Sequence, residues 1–278
     1  MRTECTIAFL GVATLLSTTA PVHGQSREGA GKSPAPLGRL EDGQPDVQGI
    51  WGAVLAGSVS LTNPISQAQD FEKQNVRVPS RIIDPPDGLV PYQPWAEARR
   101  NQQAIDYAAP TKREHIDTQH RCLLSGVPRL YTGVPTYKIV QTPGQIVFIW
   151  DLYHAYRVIP LDGRPHVASD VKLWMGDARG HWEGNTLVVD TDNVIGARLT
   201  FIGDFFSDNA RVVERFTFPN ADRMIYEATV TDPTVFTRPW TMRVEQSRRP
   251  NEEVWESACY EGAVNPDEFL LKAGPRQP

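Results

Sequence analysis

The sequence predicts an all-β fold, an antiparallel meander that closes into a barrel or packs as a sandwich, with one peripheral helix. Three observations carry this. From residue 137 onward, alternating runs follow one another with turn residues at short spacing: YKIVQT, QIVFIWD, HAYRVIPL, GHWEG, TLVVDTD, ARVVERFTF, RMIYEATVTD, WTMRVEQSRR and EEVWESA. Sequential hairpins imply antiparallel pairing, and closure would remove the exposed edges. Only PWAEARRNQQAIDYA, Pro94–Ala108, reads as a convincing helix; proline sits in its first turn, and Trp95, Ala98 and Ile105 lie near one stripe that would dock on the barrel.

The chain opens MRTECTIAFLGVATLLSTTAPVHGQS, with Arg2 before an apolar run and small residues before Gln25. That is the layout of a secretory signal peptide over residues 1–24, and the run is too short to span a membrane. A periplasmic or secreted product without an integral span is expected. Residues 25–48 are rich in Gly, Pro and charge with no apolar period, and read as a flexible tether. Residues 49–278 are then one β-rich domain, long enough for a well-buried core. The net charge of −5 survives cleavage, because Arg2 and Glu4 leave together, and it gives no reason to expect nucleic acid. Of the three cysteines, Cys122 and Cys259 remain, and an even pair in an oxidising compartment argues for a disulfide.

The elements follow in order. GIWGAVLAG is a first strand carrying Trp51, and the Pro-rich stretch 62–94 should wrap the surface. In GHWEGNTLVVDT, Gly184 and Asn185 form the turn, which sets Glu183 opposite Thr186 and Trp182 opposite Leu187. Trp182, Leu187 and Val189 then face the core, and His181, Glu183 and Asp190 face water. A functional cavity would be lined by the Trp182 face together with one face of the HAYR strand. A turn at Asp162 and Gly163 would put His166 on the face of Arg157, and His154, Tyr156 and Val158 on the other. His154, His166 and His181 therefore diverge, and no metal site is expected. Between VVERF and MIYEATV, an even loop would set Glu214 opposite Glu227 as an acid/base pair; an odd loop would put Arg215 beside Glu227 as a plain ion pair. The odd register is favoured, because like charges directly opposite are destabilising.

The Gly49-Ile50-Trp51 start resembles the calycin or lipocalin group, which implies a calycin-like barrel holding a small apolar ligand. Over residues 45–275 the lines PDVQGIW, RCLLSGVPR, IVQTPGQIVFIWD, WMGDARGHWEGNTLVVDT, VVERF, YEATVTDPTVFTRPW and ACYEG are together similar to a widespread group of exported bacterial proteins. The chain departs from that group at Asp177, Ala178 and Asn185. It also has Phe205-Phe206 where a His-containing turn is usual, and Tyr260 where a His follows the last cysteine. The resemblance implies export and fold, and no activity. The leading expectation is a barrel binding a small, largely apolar molecule, with Trp51, Arg157, Trp174, Trp182 and Trp240 as candidate ligand-binding residues. The alternative is a cofactor-independent isomerase, lyase or hydrolase on the same scaffold. It would use His154 and Tyr156 with carboxylates from Glu183, Glu214 and Glu227. A third reading is an envelope interaction or structural protein. No nucleophile elbow, Walker loop, Rossmann glycine pattern or zinc-protease helix is present in the sequence, and no cofactor is expected.

Overall fold

A computed structural model describes residues 35–62, 79–133, 136–153 and 155–259. The alternating runs fold as strands β1 (Gly49–Ala53), β3 (Tyr137–Thr142), β4 (Gln145–Trp150), β5 (Tyr156–Pro160), β6 (Asp177–Glu183), β7 (Thr186–Asp192), β8 (Arg211–Thr217), β9 (Arg223–Thr231) and β10 (Trp240–Arg248), with a short β2 (Ile82–Asp84). Every pairing is antiparallel, in the order β5-β4-β3-β1-β10-β9-β8-β7-β6, and β2 lies beside β10. The described strands all belong to one compact unit, Pro34–Pro278. The hairpin register is as expected, with Trp182 facing Leu187 and Glu183 facing Thr186. The β8–β9 register is odd, with Arg215 opposite Glu227 and Glu214 opposite Ala228.

The sheet curls until its end strands meet, and the barrel is nearly closed without a backbone ladder across the seam. Gly180 is required there: a Cβ at this position would lie 2.7 Å from Ile159 Cγ2 and 2.9 Å from Leu161 Cδ2. Side chains on β6 take the place of the missing ladder. Arg179 donates to the carbonyls of Arg164 and Pro165 at 2.8 to 3.0 Å, and Asp177 accepts from the Val167 N–H at 3.0 Å and contacts His166 Nδ1 at 2.9 Å. Burial opposes the Asp177 charge, but these partners and Arg179 outweigh it and hold the carboxyl below its usual range. A depressed folded value stabilises above the unfolded value and is lost as acid protonates the group. Asp177→Asn should therefore cost about 1 to 3 kcal/mol at neutral pH, and the gap from the parent protein should close as pH falls below about 4. Urea titrations at both pH values check this; a gap that stays constant with pH would contradict it.

Four expectations are corrected. No hairpin forms at Asp162 and Gly163: residues 161–176 run as a loop, and His166 sits at the surface between Asp177 and Asp190 rather than on the face of Arg157. EEVWESA forms no strand and contributes only a bridge from Ser257 to Leu152. Part of the Pro-rich stretch pairs as β2. Residues 35–48, expected within the tether, are folded: Arg39 bridges Pro45, Val47 is buried, and Gln141 binds the Pro45 carbonyl and the Val47 N–H. The remainder of the tether and the proposed signal peptide lie outside the described residues.

The helix α1 has the expected bounds, Pro94–Ala108, but not the expected face. Trp95 and Ile105 are exposed, and Ala96 is the buried residue. Counting on from Ala96 in steps of three and four reaches Arg100, Gln103 and Tyr107, all partly buried, so the inward stripe is polar.

Candidate functional site

The lumen is the place where a calycin-like barrel would hold its ligand. Its walls are aromatic and aliphatic: Trp51, Tyr137, Phe148, Trp150, Phe216 and Tyr226 are essentially without solvent exposure. A 3-10 turn, Arg129–Tyr131, drives Tyr131 into the middle. Its ring lies 4.4 to 5.8 Å from those of Tyr137, Phe148, Trp150, Phe216 and Tyr226. The chain's own tyrosine thus fills the space where a barrel ligand would lie.

Beside Tyr131 is a buried ion pair. Arg157 on β5 reaches across to Glu214 on β8, with side-chain exposures of 2 % and 0 %. Arg157 Nη1 donates to Glu214 Oε1 at 3.0 Å and to the Tyr131 hydroxyl at 3.2 Å, and Nη2 bonds Glu214 Oε2 and Thr191. Thr191 Oγ1 donates to Oε2 at 2.7 Å, and the Tyr226 hydroxyl donates to Oε1 at 3.0 Å. Burial opposes the charge on Arg157, and the Glu214 carboxylate with Tyr131 outweighs it, so the guanidinium stays protonated. Both carboxylate oxygens have donors and both Arg157 Nη atoms have acceptors, while Arg157 Nε is buried without a partner among the described residues; the pair is structural.

The other expected residues do not converge on it. Tyr156 is 68 % exposed on the outside of β5. Glu183 is exposed and pairs with Arg215 at 2.9 Å and His181 at 3.2 Å, and Glu227 faces outward to Arg243. His154 lies outside the described residues. An acid/base constellation of Tyr156, Glu183, Glu214 and Glu227 is therefore not assembled: period 2 places Glu214 inside and the rest outside. The tryptophans also separate. Trp51 closes one end of the barrel, edge-on to Phe218 with Arg248 over its ring at 4.7 Å, and its indole donates to the Val47 carbonyl. Trp182, expected in the core, is half-buried at that end, and its indole donates to Gln44. Trp240 is buried at the opposite end of β10 against Phe236, and Trp174 is half-buried against the core. Among the described residues these tryptophans are spread over the barrel and do not gather at one place.

A cavity of about 470 Å³ does open beside the barrel, between α1, residues 112–121 and residues 196–206. Arg99, Gln102, Gln103 and Asp106 of α1 form one wall. Gly203, at φ +101, lets the 200–204 turn press onto the helix, since a Cβ there would come within 2.5 Å of the Gln103 Cβ. Next to Thr118 in sequence, Asp117 forms a bidentate pair with Arg129 at 2.9 and 3.0 Å, and both side chains are fully buried. Arg121 follows from a short turn, Gln119–Arg121, ended by Cys122 in a left-handed conformation at φ 58 and fixed by the bridge from Cys122 to Cys259, Cα to Cα 5.5 Å. The disulfide is formed as expected.

Three residues lining this cavity each carry a buried polar atom with no hydrogen-bond partner among the described residues: Gln103 Nε2, Thr118 Oγ1 and Arg121 Nε. Thr118 as a whole is only 7 % exposed. Leaving such atoms unpaired costs about 1 to 3 kcal/mol each, and these three belong to residues gathered around one void. The sequence reading missed it because it treated α1 as docked by an apolar stripe. The signal available was the polar run Arg99, Gln102, Gln103 and Asp106, spaced to share one side of the helix. Among the described residues, no group of three His, Cys, Asp or Glu side chains is placed to hold a metal ion, and no helix is long and apolar enough to cross a membrane.

No family model and no curated protein matches the chain. A crystal structure of a mutant of the fluorescent protein UnaG is similar at 14 % identity, covering 42 % of this chain and 73 % of that one with a TM-score of 0.26.

Proposed function

We propose that this protein is an exported small-molecule binder whose site is the cavity beside α1, and that the barrel is its rigid support. The observation that carries this reading is a cavity of about 470 Å³ whose lining includes Gln103, Thr118 and Arg121, each with a buried polar atom unpartnered among the described residues. That volume suits a small organic ligand. The lumen argues against the apolar barrel ligand first expected, because Tyr131 and the Arg157–Glu214 pair occupy it. The ligand is instead polar, with acceptors to meet the Gln103 amide and the Arg121 guanidinium.

The test separates binding from stability. Replacing Gln103 with Leu and Thr118 with Val removes two orphaned polar groups while nearly keeping volume. A purely structural cavity predicts neutral or higher stability and nothing else. Under the binding reading the double variant is at least as stable as the parent, yet fragment-library binding measured by ligand-observed NMR falls by about tenfold or more. Unchanged binding in a folded double variant, or no fragment bound by the parent protein, would end the proposal.

A further inference from the structure

The charge of the same cavity says what the ligand carries. Arg121 makes no ion pair among the described residues, and its Nε is buried and unpartnered. Arg198 donates only to backbone, to the Glu114 carbonyl at 3.0 Å and the His115 carbonyl at 3.3 Å, so its charge is not neutralised by a bonded carboxylate. Burial lowers the Arg198 pKa, and repulsion from Arg121 and Arg129 works in the same direction against the pull of Asp117 and Asp106. Of the acids near it, Asp117 and Asp106 are already engaged, and Glu114 lines the same cavity as an exposed carboxylate, outnumbered there by Arg99, Lys112, Arg121 and Arg198. Asp117 is held by Arg129, and Asp106 accepts from Gln102 at 3.0 Å and faces His115 Nε2 at 3.5 Å. The His115 ring is turned that way because its Nδ1 accepts from the Thr111 N–H at 3.2 Å. Two partly buried guanidiniums therefore face one cavity without a dedicated counter-charge.

From this, and resting on the binding reading above, we infer that the ligand is a small organic carboxylate, gripped by Arg121 beside Arg198 and contacted along its body by the apolar wall of Ala197, Phe205 and Phe206. A guanidinium fork matches a carboxylate in two parallel hydrogen bonds, and such charge-assisted bonds are about twice as strong as neutral ones. The cavity is far larger than an inorganic anion needs, and its apolar side gives a carbon skeleton something to touch. The Gln103 amide and the Thr118 hydroxyl complete the polar contacts around the head group.

Benzoate, benzamide and inorganic phosphate serve as probes, titrated into the disulfide-bonded protein while backbone amide shifts are followed by NMR. Benzoate should shift the amides around Gln103, Thr118 and Arg121. Benzamide, its neutral counterpart, should bind about tenfold or more weakly, and raising salt should weaken benzoate alone. Among the described residues the Arg121 side chain has no ion pair or hydrogen bond, so Arg121→Gln should fold normally, lower benzoate affinity by a similar factor and lower that of benzamide, which loses one neutral acceptor contact, far less. Arg121→Lys, which keeps the charge but loses the fork, should recover part of the loss. Equal binding of benzoate and benzamide would overturn the carboxylate assignment while leaving the cavity as a binding site. Tighter binding of phosphate than of benzoate, or benzoate shifts located elsewhere, would overturn it too. If neither aromatic probe binds, the assignment falls; the binding reading falls with it only if the fragment library also finds nothing.

Discussion

Glu214→Gln is expected to destabilise the protein by about 3 to 5 kcal/mol, because it strands the Arg157 charge in the barrel interior. The substitution keeps volume and shape, so packing loss does not account for the effect. What changes is that a buried guanidinium, 2 % exposed, loses its one carboxylate partner among the described residues. The double variant Arg157→Met with Glu214→Leu should recover much of the loss, since well-packed apolar replacements of buried pairs are often near neutral. Recovery should be incomplete. Thr191 and Tyr226 both donate to Glu214, and Tyr131 accepts from Arg157, so three hydroxyls lose partners. Urea unfolding of the three proteins checks this, and a Glu214→Gln protein within about 0.5 kcal/mol of the parent would show that the pair is not the buried contact described.

Loss of the disulfide is the other large effect. Cys122 and Cys259 are 137 residues apart in sequence, and cross-linking them restricts an unfolded loop of that length. The loop-entropy model gives about 4 to 5 kcal/mol, an upper figure because measured disulfides often contribute less. The paired Cys122→Ser and Cys259→Ser variant should unfold at clearly lower denaturant, and reducing agent should lower the parent protein towards it while leaving the variant unmoved. The position of the bridge adds a local consequence. Cys122 directly follows Arg121, so amide exchange in residues 119–124 should quicken on reduction before the strands respond. A reduced protein with parental stability and parental exchange at Arg121 would contradict both.

The barrel was legible because its signal is local and repetitive. Alternation over five to nine residues, set off by turns such as Gly184-Asn185, fixes which side chains share a face, and the β6–β7 register follows. The odd β8–β9 register was readable from the penalty for opposed carboxylates. What period 2 cannot show is which inward residue meets which across the barrel. Arg157 and Glu214 are 57 residues apart, and nothing in either strand names the other. Tyr131 was hidden for a different reason: it arrives on a short 3-10 turn with no period at all. The side cavity was missed through a wrong assumption about α1, that a docked helix shows an apolar stripe. Trp95 and Ile105 were chosen because they are apolar, yet Ala96 marks the buried side and the residues in phase with it are polar. Residues 35–48 look like a tether by composition and are held instead by single contacts to distant residues, Arg39 to Asn185 and Gln44 to Trp182.

The most direct measurement of the central claim is a crystallographic soak of the disulfide-bonded protein with the fragments that bind in solution. The account predicts ligand density among Gln103, Thr118 and Arg121, with Tyr131 still packed against Tyr226 in an undisturbed lumen. Ligand density inside the barrel, with Tyr131 displaced and the side cavity unchanged, would contradict it.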